Sequence, residues 1–131
     1  MSEAELRLRC PAQSQHVAPV RHALEAFLKA LELKRQSVED ITTAAGEALA
    51  NIIEHAYASG ATSTDAYLEL HARSDSSGGL SIEVCDAGSF VTRQPLPGRG
   101  FGLKIIRAIA KQLTIDTSEG THVRMIFDPE S

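Results

Sequence analysis

The chain has 131 residues, of which 43% are hydrophobic and 23% charged, and its net charge is −4. This length sustains one core, so a single domain over residues 1–131 is expected, and the composition excludes a disordered polymer. The acidic balance leaves no basic footprint, no apolar run reaches bilayer length and no cleavable leader is visible, so neither direct nucleic-acid binding nor a membrane partner is expected, and a cytoplasmic location is.

Glu5 to Cys10 alternates in polarity and reads as a strand ended by Pro11. Val17, Val20, Leu24, Phe27, Leu28 and Leu31 then recur at helical spacing, and the helix they mark is expected to reach about Leu33. Ser37-Val-Glu-Asp40 resembles a capping box and predicts a second helix from Ser37 to about Tyr57. Residues 65–73 and the run from Leu80 alternate again, with Ser74 to Gly79 between them as the turn of an antiparallel hairpin. A third helix is expected from about Gly102 through Leu103, Ile106, Ile109, Ala110 and Leu113. Two strands, Leu113 to Thr117 and Thr121 to Phe127, close the chain around Glu119-Gly120. Segregated helices beside a mostly antiparallel sheet predict an α+β fold, a two-layer sandwich with helices on one face.

Cys10 and Cys85 fall inside predicted strands and have no metal-ligand spacing, which predicts buried free thiols. The five histidines form no zinc pattern.

Within the second predicted helix, Glu47 and Asn51 lie four residues apart, one above the other on the face that also carries Glu54. Ile41, Ala45, Leu49, Ile52, Ile53 and Ala56 cluster on the opposite side, so one face packs and the other presents polar groups. A solvated helix face would look the same. Asp86 stands at the end of a buried strand with Gly88 two residues on. A buried acid is costly unless a donor meets it, and the exocyclic amine of an adenine would serve while Gly88 admits the ring. An acid opening an ordinary turn is the plainer reading. Gly98-x-Gly100-x-Gly102 opens a helix, where free N–H groups and the helix dipole suit an anion such as phosphate. It is neither a Walker A loop nor a dinucleotide fingerprint.

Together, and in this order, the three segments resemble the N-box, G1 box and G2 box of the Bergerat-fold (GHKL) ATP-binding superfamily. Glu-x-x-x-Asn-x-x-x-His-Ala-Tyr, Asp-x-Gly-x-Phe and Gly-Arg-Gly-x-Gly-Leu are most similar to the bacterial anti-sigma-factor serine/threonine kinases that work by partner switching. Gly120-Thr121-x-Val-x-Met125 is similar to the last strand pair of that subgroup. The resemblance implies ATP and Mg²⁺ as cofactors. It implies Asn51 as the magnesium ligand, Asp86 as the adenine-binding acid with Thr121 behind it, and Gly88 as room for the ring. Gly98, Gly100 and Gly102 would hinge a lid and contact phosphate, with Arg99 reaching a phosphate and Leu103 completing the nucleotide-binding segment. Glu47 would be the catalytic base.

Only Val91 to Pro97 separate the second and third boxes, which implies a short lid. Neither the extra domains of chaperone or gyrase relatives nor an upstream phosphoacceptor helix is expected. The implied partners are a sigma factor and a STAS-domain anti-sigma-factor antagonist, and relatives of this kind are often dimers, so a homodimer is an expected assembly. Arg21 is a candidate partner contact, the alternative being a solvated arginine. Two other readings stay open: a nucleotide-dependent sequestration module with little kinase activity, and a switch kinase that activates a downstream phosphatase.

Overall fold

The computed structural model describes residues 3–58, 67–87, 100–116 and 121–129, with side chains placed for all of these except 55–58, 87 and 100–103. Strand β1 spans Ala4–Pro11 and leads through a 3₁₀ turn at Ser14–His16 into helix α1, Val17–Ala30. Helix α2 follows over Arg35–Ala58, then strands β2 (Tyr67–Ser74) and β3 (Leu80–Ala87), helix α3 (Gly100–Ile109), and strands β4 (Gln112–Asp116) and β5 (His122–Phe127). The five strands form one sheet in the order β1-β2-β3-β5-β4. Every neighbouring pair among the described residues is antiparallel.

Period-two alternation decides what each strand contributes. Leu68, Leu70 and Ala72 of β2, Leu80, Ile82 and Val84 of β3, and Val123, Met125 and Phe127 of β5 all point inward and are 3% exposed or less. They form one apolar cluster with Val20, Leu24 and Leu28 of α1, with Ile41, Ala45, Leu49 and Ile52 of α2, and with Ile106 of α3. Fully burying one such aliphatic side chain contributes about 1.5–3 kcal/mol, so the inner seam of α2 is a main source of stability. Glu5, Arg7, Arg9, Glu69, Arg73 and Arg124 hold the alternate positions and lie exposed on the other face. The architecture is therefore the expected α+β sandwich, with α2 packed on α1, α3 and β3.

The hairpin between β2 and β3 is built on Asp75. Its Oδ1 accepts from the Ser77 amide at 2.9 Å, the Ser77 hydroxyl at 2.6 Å and the Gly79 amide at 2.8 Å. Gly78 takes the left-handed φ of +93° that closes the turn.

Element ends depart from the sequence reading for local reasons. Helix α1 stops at Ala30 because the Leu31 amide folds back on the Leu28 carbonyl and Glu32 turns to φ +62°. That early exit lets α2 start at Arg35, two residues before Ser37, with the Val38 amide donating to the Lys34 carbonyl at 3.0 Å. Helix α3 starts at Gly100 rather than Gly102 and ends at Ile109, so Leu113 belongs to β4, opposite Met125. The Lys111 amide already pairs with the Ile126 carbonyl at 2.7 Å, which commits the chain to the sheet there. Strand β1 ends at Pro11, as expected, and Pro11 still pairs with Tyr67 because an edge strand has one side on which no N–H is required. The thiols are free but only half-buried. Strand parity puts Cys85 opposite His122, on the polar face. Burial pushes both thiols above the usual pKa, and Glu69, Asp86 and Glu83 push Cys85 further the same way.

Candidate active site

Asp86 shares its parity with Ile82 and Val84, so its carboxylate turns towards the helical layer at the end of β3. Thr121, just before β5, holds it in a two-point clasp. The Asp86 amide donates to the Thr121 carbonyl at 3.0 Å, and the Thr121 amide donates to Asp86 Oδ1 at 3.1 Å. Asp86 Oδ2 is shielded from solvent. Thr121 is 1% exposed, and its Oγ1 is buried without a hydrogen-bond partner among the described residues. An unmatched buried hydroxyl costs about 1–3 kcal/mol, so a fold that keeps one beside a carboxylate has placed polar chemistry where packing alone would favour valine.

Helix α2 supplies the second group of polar side chains. Its buried residues, Ile41, Ala45, Ala48, Leu49, Ile52 and Ile53, occupy one stripe. Glu47 and Asn51 stand beside that stripe, half-buried, and Glu54 is exposed. A carboxylate and a carboxamide one turn apart can take a proton and offer a hard oxygen to a cation, respectively. The side chains of His55 and Tyr57 lie outside the described residues.

Gly46, one residue before Glu47, was not singled out by the sequence reading. A Cβ there would lie 2.8 Å from Arg21 Cδ and 3.1 Å from Arg21 Nε. The Arg21 stem of α1 thus lies across α2 at this glycine, beside a small cavity lined by Ala18, Arg21, His22, Glu25 and Thr42. A glycine in the Ala44-Ala45-Gly46 run of a long helix was the available signal, since glycine in a helix interior is unfavourable without a packing reason.

Gly100, Gly102 and Leu103 fall in the first turn of α3. The backbone there presents N–H groups that no helical carbonyl can satisfy. Gly88, Gly98, Arg99 and the Val91–Pro97 segment lie outside the described residues. Among the described residues, no cluster of three or more His, Cys, Asp or Glu side chains could hold a metal ion. A larger cavity, about 340 Å³, is lined by Ile41, Ile109, Phe127 and Pro129 with polar neighbours. It lies at the opposite end of the sheet from Asp86, since Phe127 pairs with Leu80.

Residues 10–127 match the histidine kinase-like ATPase domain family. The chain belongs to that family. It is an ATP-binding fold whose α+β sandwich is the one described above. Anti-sigma F factors of two Clostridium botulinum strains are each 26% identical to it over 139 residues, covering 95% of this chain and 94% of theirs. Among solved structures it resembles the RsbU and RsbW domains of Rv1364c from Mycobacterium tuberculosis, with a TM-score of 0.73 and 21% identity over 96% of the chain. The chain covers 32% of that larger protein. The SiaB–SiaC complex from Pseudomonas aeruginosa gives a TM-score of 0.73 at 17% identity, covering 93% of this chain and 89% of the matched one. This member of the histidine kinase-like ATPase family has no helix, among the described residues, long and apolar enough to cross a membrane.

Proposed function

We propose that the protein is an ATP-dependent serine/threonine kinase that doubles as an anti-sigma factor, sequestering a sigma factor and phosphorylating a STAS-domain antagonist. The observation that carries the nucleotide half is the buried Thr121 hydroxyl, left without a partner among the described residues while the Thr121 backbone clasps Asp86. Adenine offers one exocyclic amine beside a ring nitrogen acceptor. Asp86 accepts from the amine, and the Thr121 hydroxyl, through one water, satisfies the ring nitrogen. The similarity to anti-sigma F factors supports the partner half.

In this reading Asn51 holds Mg²⁺, whose charge neutralises the phosphate oxygens when the ion is bound. The amides of the first α3 turn, with Gly98, Gly100, Gly102 and Arg99, embrace the phosphates, Gly88 admits the adenine, and Leu103 backs the segment. Glu47 accepts the proton of the incoming serine or threonine hydroxyl as its oxygen bonds to the γ-phosphorus. The bond from that phosphorus to the β–γ bridging oxygen breaks, and ADP leaves. A binding-only module would need Asp86 and Asn51 but no base, so Glu47 favours transfer.

The test is transfer from γ-labelled Mg-ATP to purified STAS-domain proteins, comparing wild type with Glu47→Ala. Phosphoserine or phosphothreonine formed by the wild type alone supports the kinase. ATP binding with no transfer to any candidate removes it and leaves nucleotide-dependent sequestration.

A further inference from the structure

Charge is distributed unevenly along the chain. Residues 87–115 hold five of the 13 lysines and arginines and none of the 17 acids. Three of those cations, Lys104, Arg107 and Lys111, fall on and just beyond α3 at intervals of three and four. That spacing sets them on one helix face, about 10 Å from first to last. All three are exposed, with Ala108 exposed between them, while Ile106 on the opposite face is fully buried.

Elsewhere cations find acids. Arg7, Lys29, Arg35 and Arg124 each lie against a glutamate. Lys104, Arg107 and Lys111 meet no carboxylate among the described residues, and the acid-free sequence around them supplies none at the helical spacing of four. The helix dipole favours cations near the C-terminal end, which accounts for Arg107 and Lys111 but not for Lys104. Nucleotide binding does not account for them either. The amides assigned to phosphate lie in the first turn at Gly100, and the stripe runs from about 6 Å to about 16 Å beyond it along the helix.

We infer that the Lys104–Arg107–Lys111 stripe docks an acidic segment of the protein substrate. The inference rests on the kinase reading above and adds the chemistry of the substrate to it. Helix α3 packs on α2, the helix that carries Glu47, so a segment lying along the stripe is held beside the helix pair that bears the base and the phosphate turn. Charge and size choose the occupant. A short run of aspartate and glutamate matches three cations spread over about 10 Å and need extend no further. A duplex or an anionic bilayer reaches well past the stripe, onto a molecule whose net charge of −4 repels it.

The experiment is steady-state transfer from γ-labelled Mg-ATP to the STAS-domain protein that the wild type phosphorylates, at low and at physiological salt. It compares wild type with Lys104→Gln/Arg107→Gln/Lys111→Gln and with Lys104→Glu/Arg107→Glu/Lys111→Glu. Neutralising the stripe raises KM for the protein substrate about tenfold and reversing it raises KM further, while kcat and the calorimetric affinity for Mg-ATP stay within about twofold of wild type. Added salt raises the wild-type KM and leaves that of the glutamine variant almost unchanged. An unaltered KM in both variants overturns the docking role and leaves the kinase reading standing. Loss of Mg-ATP affinity in the glutamine variant makes the stripe part of the nucleotide site or the fold and overturns the docking role as well. Absence of transfer by the wild type to every STAS-domain protein removes the kinase reading and the docking role together. Binding of duplex DNA or of phosphatidylserine vesicles by the wild type but not by the glutamine variant assigns the stripe to another polyanion, which equally overturns the inference.

Discussion

Thr121 offers the most economical test at the scale of one residue. Thr121→Val keeps the shape of a side chain that is 1% exposed and removes a hydroxyl with no partner among the described residues. In the nucleotide-free protein the substitution should be neutral or stabilising by about 1 kcal/mol in urea denaturation. In calorimetry it should weaken ATP binding by about tenfold, because the hydroxyl that closes the adenine contact is gone. Stability and affinity moving in opposite directions is what a binding residue predicts; a loss of both would mark Thr121 as structural. Asp75 makes a second residue-scale prediction. The Ser77 hydroxyl, together with the Gly79 and Ser77 amides, holds its carboxyl below the usual carboxylate range. A depressed folded pKa stabilises above the unfolded value and is lost as pH falls through the folded one. The stability difference between wild type and Asp75→Asn should therefore be full at neutral pH and shrink below about pH 4.

The second helix is where packing and site meet. Leu49 and Ile52 are at most 1% exposed, so Leu49→Ala should cost about 2–5 kcal/mol in chemical denaturation. Gly46→Ala should act differently. The new methyl displaces the far end of a flexible Arg21 side chain rather than backbone, and alanine is the better helix former by up to about 1 kcal/mol. The variant should melt at or above the wild-type temperature. If Arg21 contacts a protein partner, the variant should at the same time bind that partner more weakly. A drop in melting temperature would instead mean that the Arg21 seat holds α1 on α2. The sequence carried the amphipathic stripe of α2 and the Glu47–Asn51 spacing in full, because helical period alone places them. It did not carry the start of α2 at Arg35, which depends on the left-handed turn at Glu32, or the seat of Arg21, which depends on how two helices cross.

For the molecule as a whole, alternation in β2, β3 and β5 was enough to read the inner face of the sheet and the α+β class. Strand order was not legible, since it rests on pairings between residues as far apart as Ala4 and Ser74. Asp86 was legible as a strand-end acid, but its clasp with Thr121 joins residues 35 positions apart and needed the fold. The central claim is that base recognition at Asp86 and proton transfer at Glu47 are separate jobs on one scaffold. Calorimetric titration of Mg-ATP into wild type, Asp86→Asn and Glu47→Ala tests it most directly. The account predicts binding of similar affinity by wild type and Glu47→Ala, and no measurable binding by Asp86→Asn. Equal loss in both variants, or unchanged affinity in Asp86→Asn, would contradict it.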